Sequence, residues 1–168
     1  MSSPDPLPDA THIALFADIE IAAPPERVFH ALTDPGELAQ WWGPADAFRA
    51  QEWEIDRRDG GEWNARFVDH DGNESTVTGE VRELEFPRTL EYTWRSSGDG
   101  FLPTVVRFDL RPSIVHGRPG THVTVTHTGI GGITACATQA SLPSLEWRHT
   151  LDQLARYAGT MLVLARAA

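Results

Sequence analysis

Three side chains carry the strongest case for chemistry, His127, Tyr92 and Glu52. His127 shares strand parity with Val123 and Val125, so its imidazole is expected on an apolar face. There it can act as a general base, hydrogen-bond a ligand, or be satisfied by a neighbour within the core. Tyr92 follows the same parity as Leu90 and Trp94, which turns its hydroxyl inward, toward a pocket or a core partner. Glu52 and Glu54 stand two residues apart, and two carboxylates on one strand face suit general acid/base work. Their face depends on which neighbours point inward. If Trp53 and Ile55 do, both acids lie in water; if Phe48 and Ala50 do, both enter the interior at a desolvation cost. Water is the favoured side.

Other chemistry is thin. The seven histidines, His12, His30, His70, His116, His122, His127 and His149, form no H-x-x-x-H or H-E-x-x-H pair, and such a pair is what aims two imidazoles at one metal. His122 and His127 are an odd number of residues apart on one strand and face opposite ways. No metal and no cofactor are expected. The single cysteine, Cys136, has no basic neighbour to activate it and no partner for a disulfide, which makes the cytoplasm the expected compartment. There is no G-x-S-x-G elbow. Gly129-Ile130-Gly131-Gly132 lacks the Lys-Ser/Thr of a phosphate loop and reads as a hinge that lets Thr134 to Ser141 move beside a cavity mouth.

The chain that must position these groups has 168 residues, 40% hydrophobic and 23% charged, a length and composition suited to one globular domain. Residues 1–12, polar and rich in proline, read as a disordered leader, and 13–166 as the domain. The longest apolar stretch, Met161 to Ala165, is far short of the roughly 20 residues that span a bilayer. Fourteen basic residues, all arginine, against 24 acidic ones give a net charge of −10, which argues against a nucleic-acid partner. The acids crowd into residues 1–85, net −13, while 86–168 carry +3. A solvated acidic surface accounts for most of this.

Periodicity supplies the elements. Leu15, Ala17, Ile19 and Ile21 alternate with polar residues as a strand does. Pro24-Pro25 ends that strand and opens a short helix carrying Val28, Phe29 and Leu32; Asp34-Pro35 opens a second, with Leu38, Trp41 and Trp42, stopped at Gly43-Pro44. Trp41 and Trp42 are adjacent helix positions, so one should seal the pocket end and the other lie on its rim. From Phe48 to Thr128 the period is two, broken by turns at Asp59-Gly60-Gly61, Asp71-Gly72-Asn73, Phe86-Pro87, Ser96 to Gly100 and Arg118-Pro119-Gly120. Inward parity collects Trp63, Ala65 and Phe67; Val77, Gly79 and Val81; Leu90, Tyr92 and Trp94; Val106, Phe108 and Leu110; Val123, Val125 and His127. Trp147, Leu151, Leu154, Ala158 and Met161 recur at helical spacing from Ser144 onward and form the stripe of a long helix that covers this face. The class is α+β, about six to seven antiparallel strands curled around a C-terminal helix.

Four stretches then resemble a known family. They are AAPPERVFHAL from Ala22 to Leu32; TDPGELAQWWGP from Thr33 to Pro44; IDRRDGGEW from Ile55 to Trp63 with Gly79-Glu80-Val81 and Pro87-Arg88-Thr89-Leu90; and GTHVTVTHTG from Gly120 to Gly129. Together they resemble the bacterial proteins related to the C-terminal domain of the Hsp90 ATPase activator, within the START-like helix-grip superfamily. The resemblance implies a hydrophobic cavity between sheet and long helix that takes an apolar or amphipathic small molecule. Its expected lining is Phe29, Trp42, Trp63, Phe67, Val77, Tyr92, Trp94, Val106, Phe108, His127, Trp147, Leu151 and Leu154, whether these fill a core or face an open pocket. A binding module without turnover ranks first. A chaperone or Hsp90-type ATPase modulator ranks second, and a cyclase- or dehydratase-like enzyme using His127 with Glu52 or Tyr92 third.

Overall fold

The computed structural model describes residues 13–42, 48–69, 71–96, 103–130 and 142–167. Alternation through Ile21 makes β1 (Ile13–Ile21). Pro24 then caps α1 (Pro25–Thr33), accepting from the Val28 N–H at 3.2 Å, with Pro25 at the first position, where no donor is needed. Asp34 ends α1 and caps α2 (Pro35–Trp41), its carboxylate accepting from the Glu37 N–H at 3.0 Å. The remaining strands are β2 (Phe48–Ile55), β3 (Glu62–Asp69), β4 (Glu74–Glu85), β5 (Thr89–Ser96), β6 (Thr104–Val115) and β7 (Arg118–Ile130), followed by α3 (Leu142–Ala167).

The seven strands form one curved antiparallel sheet in the order β1-β7-β6-β5-β4-β3-β2. This is the α+β architecture that the pattern of elements implied, and the helix-grip arrangement that the family resemblance implied. The inner face carries the residues that parity assigned to it, among them Val81, Leu90, Val106, Phe108, Val123 and Val125, all buried completely. Against them α3 buries Trp147, Leu151, Leu154 and Ala158, as its helical spacing requires. α3 packs chiefly on β1, and α2 covers β2. One buried-edge seam joins the three helices. Arg27 of α1 grips Glu37 of α2 through two hydrogen bonds of 2.8 and 3.1 Å, and the Tyr157 hydroxyl of α3 donates to the same carboxylate at 3.1 Å. Burial pushes the Glu37 carboxyl upward, yet the hydrogen bonds from Arg27, His30 and Tyr157 outweigh it and hold it below the usual range.

Three features depart from the sequence expectation or lie beyond the description. The β6–β7 turn is His116-Gly117, not Arg118-Pro119-Gly120, with φ of 49° and 75° at its two central residues. Positive φ at both positions matches the twist of the flanking strands. Pro112 and Pro119 are accommodated because the hairpin tip overhangs the sheet: β5 pairs with β6 only over Thr104 to Asp109, and β1 reaches β7 only from Thr121 onward. The leader 1–12 and the hinge segment lie outside the described residues, apart from Gly129 and Ile130, which close β7. Met161 falls within α3, and its side chain is likewise outside the description.

Candidate functional site

All six tryptophans of the chain meet in one continuous chain of ring contacts on the inner face. Trp42 is its hub, with centroids 5.1 Å from Trp41, 5.2 Å from Trp53, 6.1 Å from Trp94 and 5.9 Å from Trp147. Trp53 stacks on Trp63 at 5.5 Å and 17°, and Trp63 meets Trp94 at 5.3 Å. Phe67, Tyr92 and Phe108 extend the cluster, Phe67 against Trp53, Tyr92 against Trp63, and Phe108 against Trp147. Edge-to-face and offset geometries of this kind add to the stabilisation that burial alone gives.

Local backbone explains how such large rings fit. Gly79 lies opposite Trp63 in the β3–β4 ladder. A Cβ there would overlap the Thr93 carbonyl oxygen and the Trp63 Nε1, the two atoms joined by a 2.9 Å hydrogen bond. Glycine at this position lets the indole lie down across β4. Trp42 owes its position to the end of α2. Its φ and ψ of −75° and 124° are extended, so the helical spacing that would separate it from Trp41 no longer applies. Both rings are buried, 5% and 8% exposed, which corrects the expectation of one sealing residue and one rim residue.

The polar part of the site is a short relay. The Trp147 Nε1–H donates to His127 Nδ1 at 3.1 Å, and His127 Nε2 lies 2.7 Å from Thr104 Oγ1. An indole N–H only donates, so Nδ1 is the acceptor and Nε2 carries the proton it gives to Thr104. Thr104 in turn donates to the Trp94 carbonyl at 3.3 Å. Burial pushes the His127 pKa down from 6.5 to about 4, consistent with a neutral ring whose lone pair is already used. Tyr92 is buried beside this relay, and burial pushes its hydroxyl well above the ordinary range. It makes no hydrogen bond among the described residues.

Glu52 does not join them. A bulge between Ala50 and Glu52 inserts one residue into β2, so Ala50 pairs with Phe67 while Trp53 pairs with Ala65 and Ile55 with Trp63. The extra residue changes the phase of the alternation, and the conflict between the two parities in the sequence disappears. Trp53 is buried, and Glu52 stands on the outer face with 66% of its side chain exposed, 3.3 Å from Arg66. Glu54 is outside with it, bonded to Asn64 at 3.0 Å. His122, as parity required, faces away from His127 and bonds Glu20 on the outer side at 2.7 Å.

Of the other residues assigned to the interior, Val77, Val106, Leu151 and Leu154 line the same face and are buried. Phe29 is buried too, but its ring contact is with Phe86 at 5.4 Å, apart from the tryptophan cluster. Among the described residues the inner face presents ring against ring. A depression of about 550 Å³ lies instead on the β2–β3 side, lined by Glu54, Asp56, Arg58, Gly60, Glu62 and Asn64 together with Ile55. Sequence reasoning missed Thr104 and left Trp53 undecided. Thr104 was within reach, two residues before Val106 on the same parity. No cluster of three metal-ligating side chains occurs among the described residues, and no helix there is long and apolar enough to cross a membrane.

A sheet gripping its terminal helix across an aromatic interior defines a helix-grip protein. More particularly, the chain belongs to the family of activator of Hsp90 ATPase homolog 1-like proteins, whose family model matches residues 22–159. Solved structures share the fold. A protein from Nitrosomonas europaea is 21% identical with a TM-score of 0.71, over 89% of this chain and 96% of that one. The AHSA1 protein from Silicibacter pomeroyi is 23% identical, TM-score 0.67, over 91% and 99%. DynU16, a protein in the dynemicin biosynthetic locus, is 22% identical, TM-score 0.65, over 86% of this chain and 46% of that one. No protein of curated function matches the chain.

Proposed function

We propose that the protein binds an apolar or amphipathic small molecule within the aromatic cluster between sheet and α3, without chemical turnover. The observation that carries this is the gathering of all six indoles, with Tyr92, Phe67 and Phe108, into one contiguous interior cluster beside a neutral His–Thr relay. Apolar walls with a few polar groups of fixed orientation are what small-molecule sites are made of. DynU16, which shares the fold, belongs to a biosynthetic locus, and this supports a small organic ligand. Acid/base catalysis is the weaker reading, since Glu52 is on the far face and the His127 lone pair is occupied.

Native mass spectrometry of freshly purified protein is the test. The expected result is a non-covalent adduct of a few hundred daltons, lost in Trp94→Arg, whose far-UV spectrum persists. Native protein that is adduct-free, and that takes up none of the neutral dye N-phenyl-1-naphthylamine, would overturn the proposal. The family's name supports a second reading as a chaperone modulator. An Hsp90 ATPase rate unchanged at saturating protein removes it.

A further inference from the structure

We infer that Trp53 is the specificity-determining residue of this interior, and that its ligand is an uncharged, flat, conjugated molecule presenting a hydrogen-bond acceptor to the Trp53 N–H. This rests on the binding function proposed above and deepens it. Trp53 is 8% exposed, between Trp42, Trp63 and Phe67, and its Nε1 is buried without a hydrogen-bond partner among the described residues. The neighbouring indoles show how the fold treats such donors when it means to satisfy them. Trp41 donates to the Ala31 carbonyl, Trp63 to the Thr93 carbonyl and Trp147 to His127.

Buried N–H groups are paired as a rule, and an exception calls for a partner that is missing. Trp42, Trp63 and Phe67, the rings that touch Trp53, carry no acceptor oxygen, and no carbonyl or side chain among the described residues pairs with its N–H, so the ligand supplies the acceptor. The faces around it favour a planar conjugated body that replaces ring–ring contact with ring–ligand contact. Charge selects further. The buried polar residues among those described are Thr33, Thr89 and Thr121, with no buried carboxylate or guanidinium, and His127 is neutral. An anionic or cationic ligand would enter uncompensated.

The test uses two probes of nearly equal shape, 2-acetylnaphthalene, which carries a carbonyl, and 2-ethylnaphthalene, which does not. Each is titrated against the native chain, Trp53→Phe and Trp63→Phe by quenching of indole emission. The expected result is that the ratio of the two Kd values shifts against the ketone by about fivefold in Trp53→Phe, the worth of one neutral hydrogen bond, and stays put in Trp63→Phe, whose donor is already used. 2-Naphthoate should bind more weakly than the ketone. An unchanged ratio in Trp53→Phe, or tighter binding of the naphthoate, overturns this inference and leaves the binding function standing. Failure of both neutral naphthalenes to bind folded native protein overturns the two together. Should Trp53→Phe not fold, the assigned Trp53 indole N–H resonance of native protein decides: it moves downfield with the ketone and not with the hydrocarbon, and equal shifts with both overturn the inference.

Discussion

The two faces of the sheet are built from the same strands and hold together by different physics. On the inner face, side chains meet ring to ring and methyl to ring, and the polar groups are few: Trp147, His127 and Thr104 bond one another, while the Trp53 N–H has no partner among the described residues. On the outer face, Arg107 bridges Glu83 at 2.8 Å, Asp109 at 3.1 Å and Glu91 at 3.2 Å, and Glu20 is bonded by His122 and Ser113. Hydrogen bonding to Glu83, then to Asp109 and Glu91, holds the Arg107 guanidinium firmly in its charged form. The Arg107–Glu83 pair and the bonds from His122 and Ser113 to Glu20 also join the acidic first half of the sequence to the more basic second half. An outward charge sits in water and gains little from its partner. An inward ring removes its whole area from water.

Substitutions break this contrast in order of size. Phe108→Ala empties a fully buried site between Tyr92 and Trp147 and is expected to cost about 3–5 kcal/mol in urea unfolding. Gly79→Ala forces a methyl onto the Thr93 carbonyl and the Trp63 indole; about 3 kcal/mol is expected, with altered near-ultraviolet circular dichroism from the displaced ring. Arg107→Gln on the outer face should cost about 1 kcal/mol or less, shrinking as salt is added. An outer-face loss as large as the inner-face ones would erase the distinction between them.

Acid sharpens the same comparison. The His127 pKa is about 4 in the folded protein and 6.5 as its ordinary value, so the unfolded chain binds the proton more tightly. Stability is therefore full above pH 6.5 and falls as pH drops toward 4, by at most about 1.4 kcal/mol per unit. Partial exposure of the ring to water reduces that figure. His127→Gln should flatten this part of the pH profile of urea unfolding. A slope unchanged by the substitution would show that burial does not hold the His127 ring neutral.

Most of the architecture was legible in the sequence because period two is unambiguous once five successive strands repeat it. The inward sets of β3 to β7 and the stripe on α3 follow directly from spacing. What escaped depended on local exceptions to regular spacing. One extra residue in β2 hid Trp53 behind two contradictory parities. The helix stop after Trp41 turned Trp42 back into the interior. A positive-φ pair at His116-Gly117 moved a hairpin away from the proline and glycine that advertised it. Hydrogen-bond partners were less legible still: parity places Thr104 beside His127, but only three-dimensional register brings Trp147 from α3 onto the other nitrogen.

Energy transfer from the indoles to N-phenyl-1-naphthylamine tests the central claim most directly, because the proposed site contains every tryptophan in the chain. The account expects saturable transfer at one dye per chain, abolished in Trp94→Arg while the far-UV spectrum is kept. Dye that binds folded native protein without quenching the indoles, or does not bind at all, would contradict it.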